Sequence, residues 1–98
     1  MIIPKWIQYK GTHFHDNLIV VIDKNDFGPL FDSISAIIVC NNTVILHCET
    51  LTTIGFNEHI RAYKVTFSET KININIEDLN DPFPMSLLAN NNNEKYVL

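Results

Sequence analysis

Ser35-Ala36-Ile37-Ile38-Val39-Cys40, then Asn41-Asn42, then Thr43-Val44-Ile45-Leu46-His47-Cys48 is the stretch that decides the fold. Two apolar, β-branched runs flank a pair of asparagines, and asparagine tolerates the positive φ of a primed two-residue turn, so the stretch reads as a tight β-hairpin. Cys40 then lies opposite Thr43, and Cys48 opposite Ser35. Side chains alternate between faces, which puts Ile37, Val39, Val44, Leu46 and Cys48 on one side and Ala36, Ile38, Cys40, Ile45 and His47 on the other. The two thiols therefore point apart, the geometry excludes a bond between them, and two free cysteines in a reducing compartment are expected. Asn41-Asn42-Thr43 also matches a glycosylation sequon, here read as the turn itself.

Outward from the hairpin, the chain continues as short extended segments. Leu18-Ile19-Val20-Val21-Ile22 is apolar on both faces and reads as a central strand. Trp6–Tyr9 is a first strand, joined to it by a connection from Lys10 to Asn17. Asp23 to Pro29 concentrates Asn, Asp, Gly and Pro and reads as a loop. Residues 52–58 break the pattern. It resumes over His59–Phe67, with Tyr63, Val65 and Phe67 on one face, and over Lys71–Glu77, with Ile72, Ile74 and Ile76 inward. Pro82 and Pro84 stop that element. A second hairpin is expected over 85–98, Met85–Ala89 returning through the asparagines as Glu94–Leu98, the alternative being a helical turn at Met85–Ala89 followed by a disordered tail from Asn90. The expected core is Ile7, Leu18, Val20, Ile22, Ile37, Val39, Val44, Leu46, Tyr63, Val65, Ile72, Ile74 and Ile76.

Composition agrees. Fourteen isoleucines and six valines against three alanines favour strands over helices, and 98 residues that are 46% apolar make one domain, residues 1–98, rather than two or a disordered chain. Seven to eight short, mostly antiparallel strands in that length mean an all-β, strongly bent small barrel or sandwich. A net charge of −4, with cations scattered at Lys5, Lys10, Lys24, Arg61, Lys64, Lys71 and Lys95, lacks the basic footprint of a nucleic-acid binder. No apolar run is long enough to span a membrane, and the first residues lack the apolar core of a signal peptide, so an intracellular setting is expected.

Gly11, Asn17-Leu18-Ile19-Val20-Val21, Ile34-Ser35-Ala36-Ile37 and the Asn41-Asn42 hairpin give residues 5 to 67 a strand order that resembles the small barrels of chromatin-associated modules, the Tudor-like and bromo-adjacent-homology domains. That resemblance implies a nuclear, chromatin-associated role. Leu51-Thr52-Thr53-Ile54-Gly55-Phe56-Asn57-Glu58-His59-Ile60-Arg61-Ala62-Tyr63-Lys64-Val65 and Pro82-Phe83-Pro84-Met85 resemble an orphan module near the C-terminus of transposon-derived or zinc-finger proteins of animals. It implies a context of tamed mobile-element proteins and no chemistry.

The chemistry-bearing residues are few. His13-x-His15, joined by His47, Cys48, Glu58 or His59, has the ligand types of a zinc site but no Cys-x-x-Cys or His-Glu-x-x-His spacing, so no metal or other cofactor is expected. A triad of Cys40 or Cys48 with His47 or His59 and Asp32 lacks any supporting motif, and no catalytic residue is assigned. Trp6, Tyr9, Phe14, Phe27, Phe31, Phe56 and Tyr63 include core residues, but Phe27 and Phe56, each beside a glycine, are candidates for an aromatic cage that holds methylated lysine by cation–π attraction. Ile38 and Ile45, with His47, leave an apolar strip on the hairpin's second face that is either covered by the chain's own Phe83, Met85 and Leu87 or serves as a docking surface. Open edges are expected at Trp6–Tyr9 and Lys95–Leu98. The sequence is therefore read as a non-enzymatic protein-interaction or self-association module of a larger protein, binding a protein partner or its own copy through Ile38, Ile45, His47, Phe27 and Phe56. The alternative is a methyl-lysine reader.

Overall fold

The computed structural model describes residues 1–26, 28–79, 81–90, 92 and 94–97, and of Pro82 the backbone alone. It is all-β. The strands are β1 (Trp6–Tyr9), β2 (Thr12–His15), β3 (Ile19–Asn25), β4 (Gly28–Cys40), β5 (Thr43–Asn57), β6 (Ala62–Asn75), β7 (Asp81–Met85), β8 (Leu87–Ala89) and β9 (Lys95–Val97). β1 and β2 form a separate hairpin, and the other seven form one antiparallel sheet in the order β7-β3-β4-β5-β6-β9-β8. The two edge strands of that sheet, β7 and β8, are separated in the chain by Ser86 alone. The sheet therefore curls into a half-barrel whose two edges are joined by a single chain segment.

The Asn41-Asn42 hairpin is as read from sequence: both asparagines have positive φ (51° and 63°), and Cys40 pairs with Thr43, Val39 with Val44 and Ile38 with Ile45. Further down the register departs from expectation. A bulge between Ile34 and Ala36 puts Ile34, not Ser35, opposite Cys48, because the extra residue resets the alternation. Three stretches expected to be irregular are strand. Lys10-Gly11, with φ of 49° and 81°, is a primed turn, and Thr12–His15 beyond it pairs with β1. The expected loop at Asp23–Pro29 is strand on both arms, since the β3–β4 ladder reaches Asn25 opposite Gly28. Residues 52–57 continue β5 through a second bulge between Thr53 and Gly55. The two expected strands at 59–67 and 71–77 are one, β6. It absorbs its irregularity near Glu69 (φ 64°), where the Ser68 hydroxyl donates to the Thr50 carbonyl at 2.9 Å and contacts the Thr50 hydroxyl. It ends at Asn75, whose side chain accepts from the Glu77 amide and starts a 3₁₀ turn, Ile76–Asp78.

Both faces of this sheet are used. On the first, Phe14 of the β1–β2 hairpin and Ile76 of the 3₁₀ turn pack onto Val20, Ile34, Ile37, Leu46 and Cys48 of the sheet, with Ile7, Ile22, Val44, Ile72 and Ile74 against them. On the second, inside the half-barrel, lie Ile19, Val21, Phe31, Leu51, Val65 and Val97, joined by Tyr63, Phe67, Met85 and Leu87. Leu18–Ile22 is accordingly apolar on both faces for the expected reason, with Val20 and Ile22 in one core and Ile19 and Val21 in the other. Val39, expected in the core, belongs to neither cluster and is half-buried.

Candidate interaction surface

Beyond the mouth of the half-barrel, β4, β5 and β6 run on, and among the described residues no strand packs over their second face. The strip containing Ile38 and Ile45 is the barrel-interior face of these strands continued past the barrel's end, which explains why apolar side chains stand there. The ladder sets the rows: Ile38, Ile45 and Asn75; then Ala36, His47 and Asn73; then Ser33, Glu49 and Lys71. Ile38, Ile45 and His47 are each half-buried. His47 Nδ1 lies 2.7 Å from Asn73 Oδ1, and Lys71 Nζ lies 3.6 Å from Glu49 Oε1. These polar partners on β6 confine the apolar strip to β4 and β5.

On the other side of β4 lie residues that sequence reading did not place. Ile2 exchanges two backbone hydrogen bonds with Val39, at 2.9 and 2.8 Å, along the upper edge of β4. Ile2 thus shares the face of Val39, opposite to that of Ile38, and Ile3 lines a shallow depression with Ser35, Ala36 and Ile37. Ile2 and Ile3 are 64% and 62% exposed. Nothing in the local sequence of residues 1–3 marks them for this position. The bridge to Val39 is a contact between distant parts of the chain.

The other expected surface residues stand apart. Phe56 is on strand β5 rather than in a loop, 50% exposed, with its ring edge-on to Tyr63 at 4.9 Å. It lines a depression with Glu58, Lys64 and Tyr96, where Lys64 is ion-paired with Glu94. Phe27 lies outside the described residues. The cage candidates Trp6, Phe14, Phe31 and Tyr63 are dispersed: Phe14 and Phe31 are buried in different cores, Tyr63 packs on Phe31 at 5.4 Å, and Trp6 stacks on His13 at 5.0 Å on the exposed face of the β1–β2 hairpin. His13 and His15 share that face, while His47 and His59 lie on other elements and Cys48 is buried. Among the described residues no three His, Cys, Asp or Glu side chains converge as metal ligands do. Cys40 is exposed and Cys48 buried, both unbridged. Burial, reinforced by the charge of Asp32, pushes the Cys48 thiol up to about 12, and its sulfur sits 3.6 Å from the Leu46 carbonyl.

Two further features belong to the first face. A cleft of about 310 Å³ opens between the β1–β2 turn and the 3₁₀ turn, floored by Phe14, Ile76 and Leu79 and rimmed by Lys10, where the Tyr9 hydroxyl donates to Glu77 at 3.3 Å. Asp32, in the middle of β4 between Val20 and Thr50, is 0% exposed, and neither carboxylate oxygen has a hydrogen-bond partner. The Thr50 hydroxyl beside it is bonded to Ser68 and to the Thr70 carbonyl instead. Burial alone pushes the Asp32 carboxyl up to about 7.

β5 is paired on both sides, to β4 and β6, the edge of β4 beyond β3 bonds Asn17 and Leu18 at Ile34 and Ile2 at Val39, and β9, expected as an open edge, is interior, paired to β6 and β8. Of the described helical segments none is long and apolar enough to cross a membrane. No family model, no curated protein and no solved structure matches the chain.

Proposed function

We propose that this chain is a non-catalytic protein-interaction or self-association module that docks through the open second face of β4 and β5, as part of a larger protein of the nuclear or transposon-derived kind implied by the resemblances above. The observation that supports it is the pairing of Ile38 with Ile45 across β4 and β5, two half-buried apolar side chains on a sheet face that, among the described residues, no other strand encloses. Scattered exposed apolar residues are ordinary, whereas a contiguous row rimmed by polar groups such as His47, Asn73 and Asn75 is the pattern of a contact surface. The test is capture of binding proteins by the immobilised chain, run beside an Ile38→Glu and Ile45→Glu double variant whose fold is checked by circular dichroism. A specific partner, or a second copy, lost from the double variant supports the reading. Identical capture by both forms rejects it.

A second reading, recognition of methyl-lysine, is favoured by one observation: Phe56, Tyr96 and Glu58 line the same depression. Trimethyl-lysine peptides would bind there in the micromolar to millimolar range and lose at least tenfold on Phe56→Ala. Equal binding by wild type and variant ends that reading.

A further inference from the structure

The Lys10-Gly11 turn fixes the hydrogen bonding of β1 completely. In a two-residue primed hairpin the residues flanking the turn, Tyr9 and Thr12, form a hydrogen-bonded pair, and bonded and non-bonded pairs alternate from there. Ile7 with Phe14 is bonded. Gln8 with His13 and Trp6 with His15 are not, so the amides and carbonyls of Trp6 and Gln8 turn toward the far side of β1, where no described strand lies. The other edges are guarded. β7 carries Pro82 and Pro84, which have no N–H to offer, β8 has only three residues, and the upper edge of β4 is taken by Ile2, Asn17 and Leu18. β1 has neither proline nor charge, and Trp6 on it is 57% exposed.

We infer that the free edge of β1 pairs with the same edge of a second copy, antiparallel, about a two-fold axis at Ile7. This rests on the reading of the chain as an interaction module and names one partner for it. The choice of a second copy follows from symmetry: the outward groups at Trp6 and Gln8 are evenly placed about Ile7, so one two-fold axis sets Trp6 opposite Gln8 of the second copy, twice, and satisfies all of them. Side chains agree with that register. Lys5 falls opposite Tyr9 of the second copy, the kind of contact Lys10 already makes over Tyr9 at 5.3 Å. The exposed Trp6–His13 stack continues onto Gln8 and Trp6 of the second copy. A four-residue strand hides much less than the roughly 800 Å² per partner of a stable complex, so the dissociation constant is expected near 100 μM, on the order of magnitude for a weak contact.

The test is sedimentation of the full chain from about 10 μM to 1 mM, with amide hydrogen exchange followed by NMR. Wild type should move toward the dimer mass over this range, with the Trp6 and Gln8 amides gaining protection. Gln8→Pro removes an outward donor without touching a β1–β2 bond, and Gln8→Lys adds a charge without changing the backbone; each should weaken association at least tenfold while circular dichroism stays unchanged. A monomer throughout, or a dimer indifferent to both variants, overturns the inference. If Ile38→Glu abolishes association and the Gln8 variants do not, the edge is wrong and the wider reading through the sheet face stands.

Discussion

Asp32 should make this protein more stable in mild acid than in mild base. Its carboxyl is fully buried and unpartnered on the central strand, and burial raises it from 3.8 to about 7. A carboxyl raised in the folded state holds its proton there while the unfolded chain has lost it. Its stabilising contribution is therefore complete below the unfolded value and disappears as pH climbs through the folded one. A rise from 3.8 to about 7 is worth about 4 kcal/mol at about 1.4 kcal/mol for each tenfold change in proton concentration. Against the 5–15 kcal/mol or so that holds a domain together, that is a large fraction. The titratable neighbour on the same face, Cys48, stays protonated throughout, and Glu49 and Lys71 lie on the opposite face, paired to each other. Asp32→Asn mimics the protonated acid at every pH. Urea unfolding followed by far-UV circular dichroism between pH 4.5 and 8.5 should show wild type losing about 3 kcal/mol relative to the variant as pH rises, about 1 kcal/mol of the full difference being already present at pH 4.5. Subtracting the variant removes the contribution of the four histidines. Parallel profiles, or wild type gaining on the variant toward pH 8.5, would refute the reasoning.

Gly28 has φ of 124°, and a Cβ there would stand 3.4 Å from the Tyr63 ring, whereas Gly55 has open space around it; Gly28→Ala should cost about 1–3 kcal/mol in chemical denaturation, clearly more than Gly55→Ala. Leu46→Ala, in the first core, should cost about 2–5 kcal/mol by the same measurement. A thiol reagent should modify one cysteine per folded chain, Cys40, and reach Cys48 only on unfolding, with rates read by absorbance.

The parts of the fold legible in sequence are those governed by local chemistry. Two asparagines that accept positive φ set the central hairpin, and alternation then assigned its faces and separated its thiols. What alternation cannot register is a bulge. Counting back from Ile37 by twos puts Ile34 and Asp32 with Ile38 on the outer side, but the extra residue at Ser35 inverts the phase and carries both inward. That one residue accounts for the absence of Ile34 from the expected core and for a buried carboxyl that a simple pattern places in water. Gly55 misled in the same way, as a bulge within a strand rather than an end to it. Alternation from the hairpin assigns Ile38, Ile45 and His47 to one face, as the ladder has them, whereas Ile2 and Ile3 reach β4 only through a contact spanning the chain.

The single residue between β7 and β8 also dictates an order of assembly. The first core is complete once Leu79 has joined Ile7, Phe14 and Leu46, but the second needs Met85, Leu87 and Val97 from the last strands. A chain emerging from the ribosome can therefore bury one set of side chains while Ile19, Val21, Phe31 and Leu51 still wait in water for their cover. Since the segment around Ser86 must reach β3 and β9 together, the final step is one closure event that links the start of the sheet to its end. Such long-range pairing is slow to form, and until it does, half of the finished protein's interior is a surface that the cell must keep from sticking.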